Sequence, residues 1–327
     1  MPNFKKILYL SYTSLNNWSK CKRFYYFKEV MEIERKSLNL NFFIGKIVQF
    51  GVHLIMVKDN LFLGKTMSYY KELKKDTKNF VLTEKQIQEI DEVPDIVQGM
   101  LQAYARKYTH FLKDVVHLKN EVKIKLELNN CTIVSSIDNL FKIGSHIWLH
   151  ELKTTKELTP QKVMRIKTDL QHALYYYAFH KMYGKKYRIH KILYDIIRKP
   201  SIRLKKTESR QEYVERLASW YHGTEAQVED KKFYAEPIDK PMLKEKDVMN
   251  SIQHIANEVL NCKSVDDYWQ DFDKCFDKYG MCEYYDICHR ENNNDMDKII
   301  SMYYRPVKDT IKIRYNLKGD SNVSKNN

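Results

Sequence analysis

Two carboxylates and a lysine carry the sharpest chemical signal in this chain of 327 residues. Hydrolysis of a phosphodiester needs a divalent cation, held by two or more oxygen ligands, to neutralise developing charge and to lower the pKa of an attacking water; a lysine nearby can orient that water. Glu151-Leu152-Lys153 offers such groups at the end of the apolar run Ile147-Trp148-Leu149. In a strand, residues two apart emerge on one face, so Glu151 and Lys153 point the same way. Asp138 closes the preceding run Thr132–Ile137, and a hairpin between the two runs would carry its carboxylate to Glu151. The tripeptide Glu-x-Lys decides nothing alone, because it recurs from Glu34, Glu72 and Glu121 in a chain that is 30% charged. The competing reading is a row of charges that keeps a sheet edge soluble. Gln171 and Tyr175, one turn apart on the next helical stretch, support a site: the amide can bridge a carboxylate and a phosphate, and the ring and hydroxyl can meet a nucleotide. The same pair also suits an ordinary helix surface.

A composition with 43% hydrophobic residues allows one large domain or two modest ones around a real core. The 56 basic and 42 acidic residues leave a formal charge of +14. That excess concentrates polyanions near the surface, so nucleic acid is the first partner to weigh, against mere solubility or a basic tail. Arg198, Lys199, Arg203, Lys205 and Lys206, around Pro200, are candidates for phosphate contacts that position a backbone without reading sequence, or else a solvated basic loop. No run of about 18 apolar residues and no signal-type start is present, which reads as a cytoplasmic protein with no membrane partner. In a reducing compartment six cysteines are free, metal-bound or catalytic rather than paired. Cys275-x6-Cys282-x5-Cys288 is spaced too widely for a zinc ribbon.

The elements that must position these groups follow from pattern. Leu15, Trp18 and Phe24/Tyr25 mark a short helix after a Thr13 cap, and Ile44, Val48, Val52 and Ile55 mark another between Phe42 and Asp59. Helix formers dominate from Met67 to Leu112, so the first third reads as mostly α. From Glu121 to Thr155, period-2 alternation at Val122, Ile124 and Leu126 and turns at Asn129-Asn130 and Gly144-Ser145 predict three antiparallel strands. A helix through Leu170, Leu174, Tyr177 and Ala178 and a strand over 188–197 complete a β-β-β-α-β centre. A helix over Ser209–His222, a helical region from 240 until the cysteines and a polar tail from Gly319 follow.

Ser11–Phe27 (SYTSLNNWSKCKRFYYF), SIDNL around Asp138, ELKTT at Glu151 and QHALY at Gln171 stand in one order. That ordered set resembles the RecB/Cas4-like branch of the PD-(D/E)XK nuclease superfamily over roughly residues 10–290. The resemblance implies an α/β fold, a restriction-endonuclease-like central mixed sheet flanked by helices, with an N-terminal helical region and a C-terminal helical iron–sulfur region. Its segments would be 1–40, 41–118, a nuclease core at 119–206, 207–300 with the cluster cysteines, and 301–327 as tail. It implies Mg²⁺ or Mn²⁺ on Asp138 and Glu151, with Lys153, Gln171 and Tyr175 in the catalytic set. Where such proteins place a histidine ligand after Gly-x-x-x, Gly45 is followed by Gln49, with His53 one turn on; either could serve. Lys22 and Ser136 also depart from the usual Pro and Gly. Cys21, Cys275, Cys282 and Cys288 match a [4Fe-4S] ligand set that clamps the chain ends. Zinc and buried free thiols are the alternatives, and Cys131 and Cys262 are left over as ordinary thiols. The implied substrate is DNA, as single strands or duplex ends, digested more by an exonuclease than an endonuclease. Protein partners in a recombination, repair or spacer-acquisition complex are the further expectation, and an inactive DNA-binding scaffold of the same fold is the rival one.

Overall fold

Ser11, not Thr13, caps the first helix. Its hydroxyl accepts from the Ser14 N–H at 3.1 Å while the Ser14 hydroxyl accepts the Ser11 N–H at 2.6 Å, so two helix-start donors are satisfied reciprocally. In the computed structural model, which describes residues 8–184, 187–222, 227–277, 280–289 and 293–307, this cap joins β1 (Leu8–Leu10) to α1 (Tyr12–Lys20). Next come α2 (Lys22–Tyr25), a π-type turn at Tyr26–Val30 and β2 (Ile33–Arg35). Helices α3 (Leu40–Met56), α4 (Phe62–Asp76), α5 (Glu84–Lys107) and α6 (Thr109–Asp114) fill the stretch expected to be α. Helix α5 runs through Pro94, which has no N–H for the carbonyl of Ile90; the Tyr70 hydroxyl bonds that carbonyl instead, at 3.0 Å. The three expected strands are β3 (Val115–Glu127), β4 (Cys131–Ile143) and β5 (His146–Thr155). They lead to α7 (Pro160–Ile166), α8 (Leu170–Tyr183), β6 (Ile189–Arg198), α9 (Arg210–Trp220), β7 (Phe233–Ile238) and α10 (Glu245–Asn261). The C-terminal region holds β8 (Phe276–Asp277), β9 (Gly280–Met281), α11 (Tyr285–Cys288), α12 (Asn293–Tyr303) and β10 (Tyr304–Pro306). The polar tail from Gly319 lies outside the described residues.

The chain divides into two compact units, and β3 and β4 run through both. One unit comprises Met1–Lys36, Lys123–Ser135 and Glu245–Asn327; the other comprises Ser37–Val122 and Ser136–Lys244.

In the second unit the sheet is mixed. β4 pairs antiparallel with β5, β5 parallel with β6, and β6 antiparallel with β7. β7 sits at the edge, where Pro237 and its missing donor are tolerated. Ile44, Val48 and Val52 of α3 and Val97, Met100 and Leu101 of α5 bury against Leu152, Leu193 and Ile197 of the sheet. α8 covers the other face, where His172 meets the Tyr194 ring edge-on at 4.4 Å. Two helix glycines permit close approach. A Cβ on Gly45 of α3 would lie 3.1 Å from Thr154 Oγ1 of β5, and one on Gly99 of α5 would lie 2.6 Å from Leu217 Cβ of α9.

In the first unit β1 lies parallel to the start of β4, with Leu8 opposite Cys131, and β2 pairs antiparallel with β10. Phe24, Phe27, Ile33, Tyr284, Ile287 and Tyr304 form one of its apolar clusters. The buried phenols are satisfied: Tyr284 donates to the Ile33 carbonyl and Tyr304 to the Glu283 carbonyl, both at 2.6 Å. Among the described residues no helix is long and apolar enough to cross a membrane.

Candidate active site

The ladder between β4 and β5 runs from Ile143↔His146 to Asn139↔His150 and stops there. One residue further along each strand stand Asp138 and Glu151. Beyond the end of this ladder, the Leu152 N–H of β5 is satisfied by the Asp138 carboxylate, Oδ2 at 2.8 Å. Parting of the strands thus brings Asp138 against the backbone that carries Glu151. The other Asp138 oxygen, Oδ1, accepts from the Gln49 side-chain amide of α3.

Glu151 is 2% exposed, and its carboxylate is held asymmetrically. Oε1 accepts from Lys153 Nζ and from Gln171 Nε2, the latter at 2.9 Å. Oε2 is buried and has no hydrogen-bond partner among the described residues. A buried carboxylate oxygen without a donor is costly, so a site with one is incomplete as it stands. Burial first, and the charge of Glu151 second, raise the Asp138 carboxyl well above the ordinary range. Burial works against the Lys153 ammonium, but the charges of Glu151 and Asp138 outweigh it and hold Lys153 above the usual lysine value.

Gln171 enters from the first turn of α8, whose cap Asp169 accepts the Gln171 N–H at 2.6 Å. Gln171 also donates to the Tyr175 hydroxyl, and the Tyr175 ring is 3% exposed, so Tyr175 buttresses Gln171 from within the core. His53 takes a different partner from Gln49: its Nδ1 lies 3.1 Å from Asn139 Oδ1. His172, next to Gln171, was not a sequence candidate; its Nδ1 bonds the Ile166 carbonyl at 3.1 Å, and burial keeps its pKa low despite nearby Asp169 and Glu151.

The donor set fits a hard divalent cation: two carboxylates, one oxygen of them unpartnered, and an amide group beside them. A model of one protein family, described as the PD-(D/E)XK nuclease superfamily, matches residues 9–289. The chain belongs to that superfamily. No curated protein matches it. Among solved structures, the crystal structure of SSO0001 is 12% identical, with 61% of this chain and 87% of that one covered at a TM-score of 0.31. A "Putative exonuclease" from Eubacterium rectale is 11% identical, with 87% and 88% covered at a TM-score of 0.44.

The basic candidates of this PD-(D/E)XK chain do not act as one group. Lys199 is buried, donates to the Asn41 carbonyl at 3.2 Å, and is pushed down to about 8 by burial and by Lys156. Arg203 pairs with Glu89 at 2.9 Å, and Arg198 donates to the Lys156 carbonyl at 3.2 Å. Lys205 and Lys206 are exposed.

Cys21, Cys275, Cys282 and Cys288 line one small cavity of the first unit, together with Lys20, Gln270 and His289. Asp271 N–H donates to Cys21 Sγ at 3.4 Å, and Gln270 Nε2 donates to Cys288 Sγ at 3.2 Å. Burial pushes the Cys288 thiol up to about 12 and also raises Cys275 and Cys282. No three Cys, His, Asp or Glu side chains among the described residues already stand at ion-binding distances. Four sulfurs lining one cavity are the donor type that a soft metal would take. Cys131 is buried elsewhere, with its thiol pushed up to about 11, and Cys262 donates to the Glu258 carbonyl at 3.4 Å.

Proposed function

We propose that the second unit is a Mg²⁺- or Mn²⁺-dependent deoxyribonuclease of the RecB/Cas4-like branch, acting as an exonuclease. The observation that carries this reading is the unpartnered Oε2 of buried Glu151, set beside an Asp138 held to the same backbone. Asp138 and Glu151 would hold the cation, with Gln49 or His53 as the third protein group. The cation, when bound, neutralises developing charge on the phosphate and lowers the pKa of the attacking water.

The chain's own groups do the rest. Lys153 donates to Glu151 Oε1 in the resting site and is charged at any working pH, so it is free to turn a donor toward the attacking water or a phosphate oxygen. Gln171 keeps the Glu151 carboxylate from rotating, and Tyr175 keeps Gln171 in place. Lys205 and Lys206 are available for phosphates, whereas Lys199 serves the protein interior.

A Mg²⁺-dependent cleavage assay on end-labelled single-stranded, duplex and circular DNA tests the proposal, with Asp138→Ala as control. Digestion of linear but not circular DNA, lost in the variant, is the expected result. Equal digestion by wild type and Asp138→Ala would show that this site is not the catalyst. The rival reading, an inactive DNA-binding scaffold in a recombination or repair complex, draws on Gln49, which occupies Asp138 where the superfamily usually has histidine. It predicts DNA binding without cleavage under every divalent cation.

For the first unit we propose a [4Fe-4S] cluster on Cys21, Cys275, Cys282 and Cys288, supported by their shared cavity and the donors aimed at two of the sulfurs. Anaerobic purification should give a brown protein with iron and acid-labile sulfide in equal amounts. A colourless protein with stoichiometric zinc would replace this assignment with the other thiolate metal.

A further inference from the structure

Behind the carboxylates, on the reverse face of the same strands, lies a polar chain that the reaction scheme above does not use. Asn139 and His150 are register partners, 1% and 0% exposed, and Asp195 of β6 is 0% exposed. Asn139 Nδ2 lies 3.1 Å from His150 Nδ1, and His150 Nε2 lies 3.4 Å from Asp195 Oδ2. Tyr104 of α5 donates to Asp195 Oδ2 at 2.7 Å, and Tyr108 at the end of that helix donates to Oδ1 at 3.2 Å. At the other end, Asn139 Oδ1 faces His53 Nδ1 of α3 at 3.1 Å.

The proton positions along this chain follow by elimination. A carboxylate only accepts, so the His150 nitrogen that faces Asp195 must be Nε2–H. The Asn139 amide nitrogen only donates, so the His150 Nδ1 that it faces carries the lone pair, and Asn139 Oδ1 is turned toward α3. The Asn139 oxygen only accepts, so His53 must donate from Nδ1. Burying this many polar groups adds little stability compared with an apolar core, so directionality is what the chain supplies.

We infer that Asn139, His150 and Asp195 are positioning residues: they lock His53 in its Nδ1–H tautomer and fix α3 against β4, so that Gln49, one turn before His53, meets Asp138. Through Gln49 and Asp138 this rests on the metal-site reading above, but the tautomers do not.

The test uses the full chain with ¹⁵N-labelled histidine and no DNA. Long-range ¹H–¹⁵N spectra of the wild type should show His150 protonated on Nε2 and His53 on Nδ1; His53 protonated on Nε2 overturns the inference. Asn139→Leu should lose the His53 tautomer preference and weaken Mn²⁺ binding, measured by the electron-spin signal of free Mn²⁺, by roughly 10- to 100-fold. A folded Asn139→Leu protein with wild-type Mn²⁺ affinity overturns it as well. If Asn139→Leu does not fold, the wild-type tautomers decide alone. Wild-type protein that binds no Mn²⁺ but shows both tautomers would reject the metal-site reading and leave the lock intact.

Discussion

The two faces of the β4–β5 pair solve opposite problems with similar residues. On one face Asp138 and Glu151 are crowded, burial and mutual charge raise Asp138, and one Glu151 oxygen has no partner. On the other, Asp195 is as buried as Glu151, yet His150, Tyr104 and Tyr108 bring donors to its two oxygens. The reverse face is complete without a ligand and the front is not. A buried carboxylate surrounded by donors builds structure; one short of donors waits for a cation.

That contrast can be broken most sharply by removing a front carboxylate. Glu151→Gln, close to isosteric, is expected to lose on the order of 10³-fold or more of DNA cleavage while the metal-free protein stays folded. A variant that is both inactive and strongly destabilised would show that Glu151 belongs to the framework instead.

On the reverse face the same kind of change should do the converse. Asp195→Ala strands His150, Tyr104 and Tyr108 without their acceptor and is expected to cost about 3–5 kcal/mol in urea unfolding. A loss below about 1 kcal/mol, the size of an ordinary exposed hydrogen bond, would mean that water replaces the carboxylate and that the face is less closed than its burial indicates.

The scaffold of the reverse face is sensitive to shape as well as to charge. Gly99 lets α5, which carries Tyr104, lie against α9, and a methyl there would meet Leu217 Cβ at 2.6 Å, an atom that no rotamer can move aside. Gly99→Ala should therefore destabilise by about 1–3 kcal/mol, despite alanine's better helix propensity. Unchanged stability would show that α5 and α9 slide apart without cost.

What was legible beforehand follows the same division. Asp138, Glu151, Lys153 and Gln171 could be found because strand ends and helix spacing expose short local patterns, and each has its partner within one or two elements along the chain. The parting of β4 from β5, which brings Asp138 to the Leu152 N–H, leaves no such pattern. Asn139 and His150 looked like ordinary strand residues, and Tyr104 lies 91 residues from Asp195, so only the fold makes them neighbours. Lys199 looked like a surface cation in a basic run; just past β6 it turns inward and donates to the Asn41 carbonyl. β7 escaped because an edge strand with a proline has neither the length nor the alternation that marks an inner one.

A pH series tests the electrostatics directly. Burial and the Glu151 charge lift the Asp138 carboxyl well above its ordinary 3.8 in the folded, metal-free chain. A carboxyl with a raised folded pKa favours folding while it is protonated. Its contribution is fully present below the unfolded value and is lost as pH rises through the raised value. Wild type in a chelating buffer should thus lose stability relative to Asp138→Asn as pH climbs from about 4 toward neutrality, by no more than about 1.4 kcal/mol per pH unit, because one proton is involved. Mn²⁺ should reverse the loss in wild type only, since the cation replaces the proton that the site otherwise retains. If the two proteins track each other across the whole range, the Asp138 charge is relieved by water or by Gln49, and the front face is not the frustrated one.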